Sequence, residues 1–139
     1  MATEVMKDPA LPAGLEAGRK FNAAAARARL AIARGDVAGA QSDLDWLGTA
    51  ARNPNQQFNY NFLRGYAEIK QGHFAKASEF LAKANPQDSM TWYYQAVALE
   101  GAGDKAGAAK LYKKIVDWNQ LDQPNYAIVR PRAVAKLGK

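Results

Sequence analysis

The sequence predicts an all-α chain built from stacked helix pairs, and three observations carry that prediction. A short pattern, Gly-Asp/His-x-x-x-Ala, occurs three times: Gly35-Asp36 with Ala40, Gly72-His73 with Ala77, and Gly103-Asp104 with Ala108. Apolar residues follow each copy at helical spacing, namely Leu44 and Leu47, Leu81 and Ala84, and Tyr112 and Ile115. The composition is 48% hydrophobic but rich in Ala, which leads the helix scale and is depleted from strands. The β-branched and aromatic residues are too scattered for alternating strand runs.

Residues 1–10, with Asp8-Pro9, read as a flexible lead-in, and the rest as one domain over 11–139. A first helix starts near Pro12, tolerated in a first turn, and runs through the Ala-rich stretch to Gly35. Glycine just past a helix adopts the left-handed conformation that closes it, and Asp36 then caps the next helix. That second helix covers about 37–51 and stops before Asn53-Pro54, since proline restricts the residue preceding it. The plan repeats with helices over roughly 56–71 and 74–84, closed by Asn85-Pro86, and again over 89–101 and 105–118. The hairpins thus fall at about 12–52, 55–85 and 88–119. A final helix at about 124–137 covers the open end of the stack, with Pro131 kinking or delaying it.

A chain of 139 residues can bury a helical core without disulfides or metal. The absence of cysteine excludes a disulfide framework, a thiolate zinc site and cysteine nucleophilic chemistry. The net charge of +6 invites a nucleic-acid reading, but the last fifteen residues hold Arg130, Arg132, Lys136 and Lys139 with no acid. A short basic end of this kind reads as a solvated helix terminus, so no nucleic-acid partner is expected. No apolar stretch approaches the roughly 20 residues of a membrane span, so no membrane insertion is expected. The opening residues lack a signal-peptide apolar run, and the chain reads as soluble, cytoplasmic or periplasmic, or as part of a longer protein.

The spacing of these features resembles the tetratricopeptide repeat, a helix–turn–helix unit of about 34 residues. Its marks are a small residue seven positions before each turn glycine (Ala28, Gly65, Ala96), the Ala five positions after it, and the Asn-Pro endings. Trp92-Tyr93-Tyr94 resembles the aromatic opening of the unit, and Val37 and Phe74 its apolar residue after the turn. The resemblance covers residues 21 to about 122. Asn61, Arg64 and Glu68 depart from it, standing where large apolar residues are usual, as does Lys105.

The resemblance implies a right-handed α-solenoid of antiparallel hairpins whose first helices line a concave groove. The groove candidates are Asn22, Arg29, Asn59, Phe62, Tyr66, Tyr93 and Val97, with Lys70 and Glu100 near the rim. One subfamily grips a C-terminal carboxylate with Lys, Asn and Arg; the equivalent positions here are Ala25, Arg29, Leu63, Met90 and Tyr94, of which only Arg29 could serve.

The residues themselves point to no catalytic or metal site and to no cofactor. His73 is the only histidine, so neither a His-His metal pair nor a catalytic relay can be assembled, and a capping or exposed role is expected for it. Asp43 and Asp45 lie two apart on a helix and point away from each other. Gly101-Ala102-Gly103 lacks the preceding strand and following Lys-Ser/Thr of a phosphate loop. Lys113-Lys114 and the basic tail read as a solvated face.

Phe62, Tyr66, Trp92, Tyr93 and Tyr94 read mainly as the seam between the second and third hairpins, with Tyr66 and Tyr93 the exceptions that face a partner. The expected function is a non-catalytic interaction module for a protein or peptide. The alternative is structural: a C-terminal segment of a larger multidomain protein that serves docking or homo-oligomerisation through its convex face or its last helix, with Ile128, Val129, Val134 and Leu137 as contacts.

Overall fold

A computed structural model describes residues 13–118 and 124–138, and every element among them is a helix. In chain order these are α1 (Ala13–Ala33), α2 (Val37–Ala50), α3 (Pro54–Lys70), α4 (Phe74–Leu81), α5 (Ser89–Gly101), α6 (Lys105–Asp117) and α7 (Pro124–Leu137). The 1–10 lead-in and the Leu121–Gln123 stretch lie outside the described residues.

The three turns are built alike. Gly35, Gly72 and Gly103 have φ of 84°, 79° and 95°, a region that glycine enters without a Cβ clash. The amides that follow reach back five residues, Asp36 to the Ala31 carbonyl, His73 to Glu68 and Asp104 to Leu99, at 2.8–2.9 Å. Those bonds satisfy carbonyls that a helix end leaves unpaired. Asp36 then accepts from the Gly39 amide at 2.9 Å, and Asp104 from the Gly107 amide at 2.8 Å, each capping the helix that follows.

Small residues let the two arms of each hairpin approach. Ala28, Ala40, Ala77, Ala96 and Ala108 are all buried. A Cβ on Gly65 would lie 2.6 Å from Leu81 Cγ, so the middle hairpin packs closer than any side chain at that position would permit. Phe21, Ile32, Leu44, Leu47, Leu63, Leu81, Ile115 and Val129 fill the remaining core. Arg27 on α1 donates twice to Asp43 on α2, while Asp45 accepts from Gln41, so the two carboxylates diverge.

Each hairpin touches the next in a fixed order. The first helices form a row in which α1 meets α3, α3 meets α5 and α5 meets α7. The second helices lie between successive members: α2 touches α1 and α3, α4 touches α3 and α5, and α6 touches α5 and α7. Among the described residues α1 touches neither α5 nor α7.

Two local expectations are corrected. The second helix of the middle hairpin ends at Leu81, three residues short of Ala84. Its last carbonyls accept from the backbone amides of a tighter turn, Phe80 O from Lys83 and Leu81 O from Ala84. Side chains from other helices add to them: Asn61 donates to Lys83 O at 3.5 Å and Gln95 to Leu81 O at 3.4 Å. The last helix begins at Pro124 and continues through Pro131, so that proline does not delay it.

Candidate functional site

The face presented by α1, α3, α5 and α7 carries a cleft and an aromatic group that adjoin. Helical spacing puts Asn55, Asn59, Phe62, Tyr66 and Lys70 on one stripe of α3. A cleft of about 290 Å³ is lined by the upper part of that stripe together with Arg29 from α1, Asn85 and Asp88 from the loop before α5, and Asn125 from α7. Asn125 donates to both oxygens of Asp88 at 3.1 Å, and Asp88 also accepts from the Met90 amide, so the one carboxylate of the cleft is already engaged. The side chains of Asn55 and Asn59 bond to no other described residue, leaving their donors and acceptors available. A larger hollow of about 590 Å³, lined by Glu16, Lys20, Trp46 and Arg52, adjoins the start of the described chain and shares none of these residues.

Beside the cleft, Phe62 and Tyr66 meet Tyr94 at ring-centroid distances of 5.6 and 4.9 Å, and Tyr93 meets Tyr94 at 5.2 Å. Tilted and edge-on contacts of this kind suit the ring quadrupoles. Burial, and then the neighbouring Tyr94, push the Tyr66 hydroxyl up to about 12, although Arg132 and Arg29 draw it back. Burial and the Glu100 carboxylate that its hydroxyl contacts raise Tyr112 as well.

Three cations lie over these rings. The Arg29 guanidinium is 5.2 Å from the Phe62 centroid, Lys70 Nζ 5.6 Å from Tyr66, and the Arg132 guanidinium 6.0 Å from Tyr93. Further along, Glu100 accepts from the Tyr112 hydroxyl at 2.9 Å and from Lys136 Nζ at 3.2 Å.

The groove candidates named from the sequence divide by exposure. Asn22 and Arg29 are exposed, and Asn59, Tyr93 and Val97 half-buried. Phe62 and Tyr66 retain only 7% and 9% of their surface, so they form the floor of the face and do not project from it. Of the clamp-equivalent positions, Ala25, Leu63 and Met90 are buried.

Sequence reasoning missed Asn55 and Asn125, read Arg132 only as part of the basic tail, and placed Tyr94 in the aromatic seam, where it meets Phe62 and Tyr66. The i, i+4, i+7 spacing of Asn55, Asn59 and Phe62 was a usable signal; nothing local could bring Asn125 and Arg132 to the same face. The basic residues read as a solvated tail are partly engaged: Arg132 over Tyr93, Lys136 on Glu100, and Lys114 4.0 Å from the Trp92 ring centroid. Val129, proposed as a contact of the last helix, is fully buried, because α7 packs against α5 and α6.

His73 occupies the capping position of α4 but makes no capping bond. Its Nδ1 lies 2.8 Å from Glu68 Oε2, and Lys76 Nζ lies 3.1 Å from Glu68 Oε1. Glu68 is only 5% exposed. Burial alone would raise its pKa, but the hydrogen bonds and charges of His73 and Lys76 outweigh that and hold it below the ordinary value. Among the described residues no group of three or more His, Cys, Asp or Glu side chains could hold a metal ion, and no helix is long and apolar enough to cross a membrane.

No family model, curated protein or solved structure matches this chain.

Proposed function

We propose that this chain is a non-catalytic interaction module of the tetratricopeptide type, a right-handed α-solenoid of three hairpins closed by α7. It binds a peptide or partner domain along the face of α1, α3, α5 and α7. The observation that carries the reading is the cleft on that face, where the side-chain amides of Asn55 and Asn59, bonded to no other described residue, lie beside Phe62 and Arg29. An asparagine side chain offers two donors and one acceptor group, matching the N–H and C=O of an extended backbone. The nearest-neighbour order of helix contacts supports an open stack, since a closed four-helix arrangement would bring α1 against α7.

Replacing Phe62 or Tyr66 with Ala is a poor test, because removing a buried aromatic costs about 3–5 kcal/mol of stability. Photo-crosslinking from Asn59 avoids that. A photoreactive residue placed there is expected to capture partner from the source lysate, while the same residue at Lys110, on the exposed side of α6, captures none. Equal capture at both sites, or none at Asn59, rejects this face.

A second reading rests on the last helix, where Ile128, Val134 and Leu137 are 46%, 44% and 42% exposed. Exposed apolar side chains at the end of a stack suit contact with a second copy or another domain. A concentration-independent monomer in light scattering removes the self-association form of that reading.

A further inference from the structure

We propose that the occupant of this face is an acidic peptide segment, held by Arg29, Lys70 and Arg132 through its side-chain carboxylates. This rests on the peptide-binding reading above and specifies the chemistry of the partner. The three cations come from three different helices, yet each lies over a ring of the same aromatic group: Phe62, Tyr66 and Tyr93. None of the three has a carboxylate within 4.0 Å among the described residues.

The two acids on this face are taken. Asp88 accepts from Asn125 and Met90, and Glu100 from Tyr112 and Lys136. Elsewhere on the molecule some cations are held by a paired acid, as at Arg27 with Asp43 and Lys113 with Asp117, and others by a ring, as at Arg64 with Phe80 and Lys114 with Trp92. Here the rings take that role, and they hold the charged groups without neutralising them. A ring–cation contact at an exposed site is weak, and a carboxylate can bond a guanidinium twice in one plane, so an incoming acid gains contacts at little loss. Arg29 lines the cleft whose Asn55 and Asn59 amides suit a backbone, and Lys70 and Arg132 lie over the rings that adjoin it, which places the charges along the path of an extended chain.

The test is selection of random linear peptides displayed on phage against the intact chain, followed by anisotropy titration of the selected peptides. The expected result is enrichment of Asp and Glu, and about tenfold weaker binding when those acids are changed to Asn and Gln. Arg29→Gln and Arg132→Gln each weaken binding by a similar factor, with helicity unchanged by circular dichroism, whereas Lys110→Gln does not. Raising salt from about 0.1 M to about 0.5 M weakens it further.

Selected peptides that lack acids and ignore both arginine variants overturn this proposal while leaving the peptide-binding reading intact. Failure to select any peptide overturns both. An equal loss with Lys110→Gln reduces the effect to net charge and also overturns it. Displacement by a single-stranded oligonucleotide at lower concentration than by the acidic peptide reassigns the face to a nucleic acid.

Discussion

The first and third hairpins turn on Asp36 and Asp104, whereas the middle hairpin turns on His73, although all three share one backbone. The outer two carboxylates accept from Gly39 and Gly107 and cap the helices that follow. In the middle hairpin, His73 reaches backwards to Glu68 and leaves the start of α4 without a side-chain cap. The difference extends along the whole of α3. Asn61, Arg64 and Glu68 form a polar stripe toward α4: Asn61 bonds Lys83 O, the Arg64 guanidinium lies 5.2 Å from the Phe80 centroid, and Glu68 takes His73 and Lys76. Turn geometry and helix pairing are therefore separable. The glycine sets the reversal, and either an apolar stripe or a polar one can face the second helix; in the polar one Asn61 and Glu68 are partnered, whereas the buried Arg64 Nε has no hydrogen bond among the described residues.

Four variants would break or sharpen this comparison. The largest effect is expected at Gly65, where Ala28 and Ala96 stand in the outer hairpins. Gly65→Val should lower stability by about 2–3 kcal/mol in urea unfolding, because even a Cβ would press on Leu81. Unchanged stability would mean that the middle hairpin packs no closer than its neighbours.

Next is Glu68→Leu, which gives the middle hairpin the apolar residue its neighbours' pattern implies. Well-packed apolar replacements of buried charges are neutral or stabilising, so the variant should equal or exceed the parent at pH 7 by up to about 1 kcal/mol. Its pH dependence is the sharper readout. The Glu68 pKa is depressed in the folded state, so its contribution is present above the ordinary value of 4.5 and is lost as pH falls through the folded value. Denaturant midpoints of the parent should drop below about pH 4.5 more steeply than those of Glu68→Leu; parallel curves would remove Glu68 from the account.

The smallest effect contrasts the caps themselves. Asp36→Ala should cost about 1 kcal/mol in thermal unfolding, the usual value of a lost cap. His73→Ala should cost about half of that, because the His73 side chain is largely exposed and Lys76 remains on Glu68. Equal losses would show that His73 contributes as much through Glu68 as aspartate does through capping.

Much of the helical plan was legible because its signals are local. A glycine, a capping residue and an Asn-Pro pair act on amides and carbonyls within five positions, so the turns at Gly35, Gly72 and Gly103 followed from the chain alone. The end of α4 did not, and Asn61 and Gln95, which meet the chain as it leaves that helix, arrive from other helices. The polar residues of α3 looked like departures from a pattern, and only their partners on α4 and at its two ends show how they are accommodated.

The candidate site divides in the same way. Asn59, Phe62 and Tyr66 follow from periodicity, and Arg29 from its place in the first helix. In the run Trp92-Tyr93-Tyr94 consecutive side chains point about 100° apart, so the sequence alone could not say which ring meets Phe62 and Tyr66. The crossing of α3 on α5 selects Tyr94 for that contact and sends Trp92 to the other side, where its indole nitrogen donates to Pro86 O.

What the amino-acid sequence determined by itself was helix, turn and repeat, since each is settled by hydrogen bonds and steric limits among near neighbours. What only the tertiary structure decided was which charges are paired and which are left facing the cleft. Arg132 and Asn125 are distant along the chain from Arg29 and Asn59, and the packing of α1 on α3, α3 on α5 and α5 on α7, not any local preference, brings them onto one face.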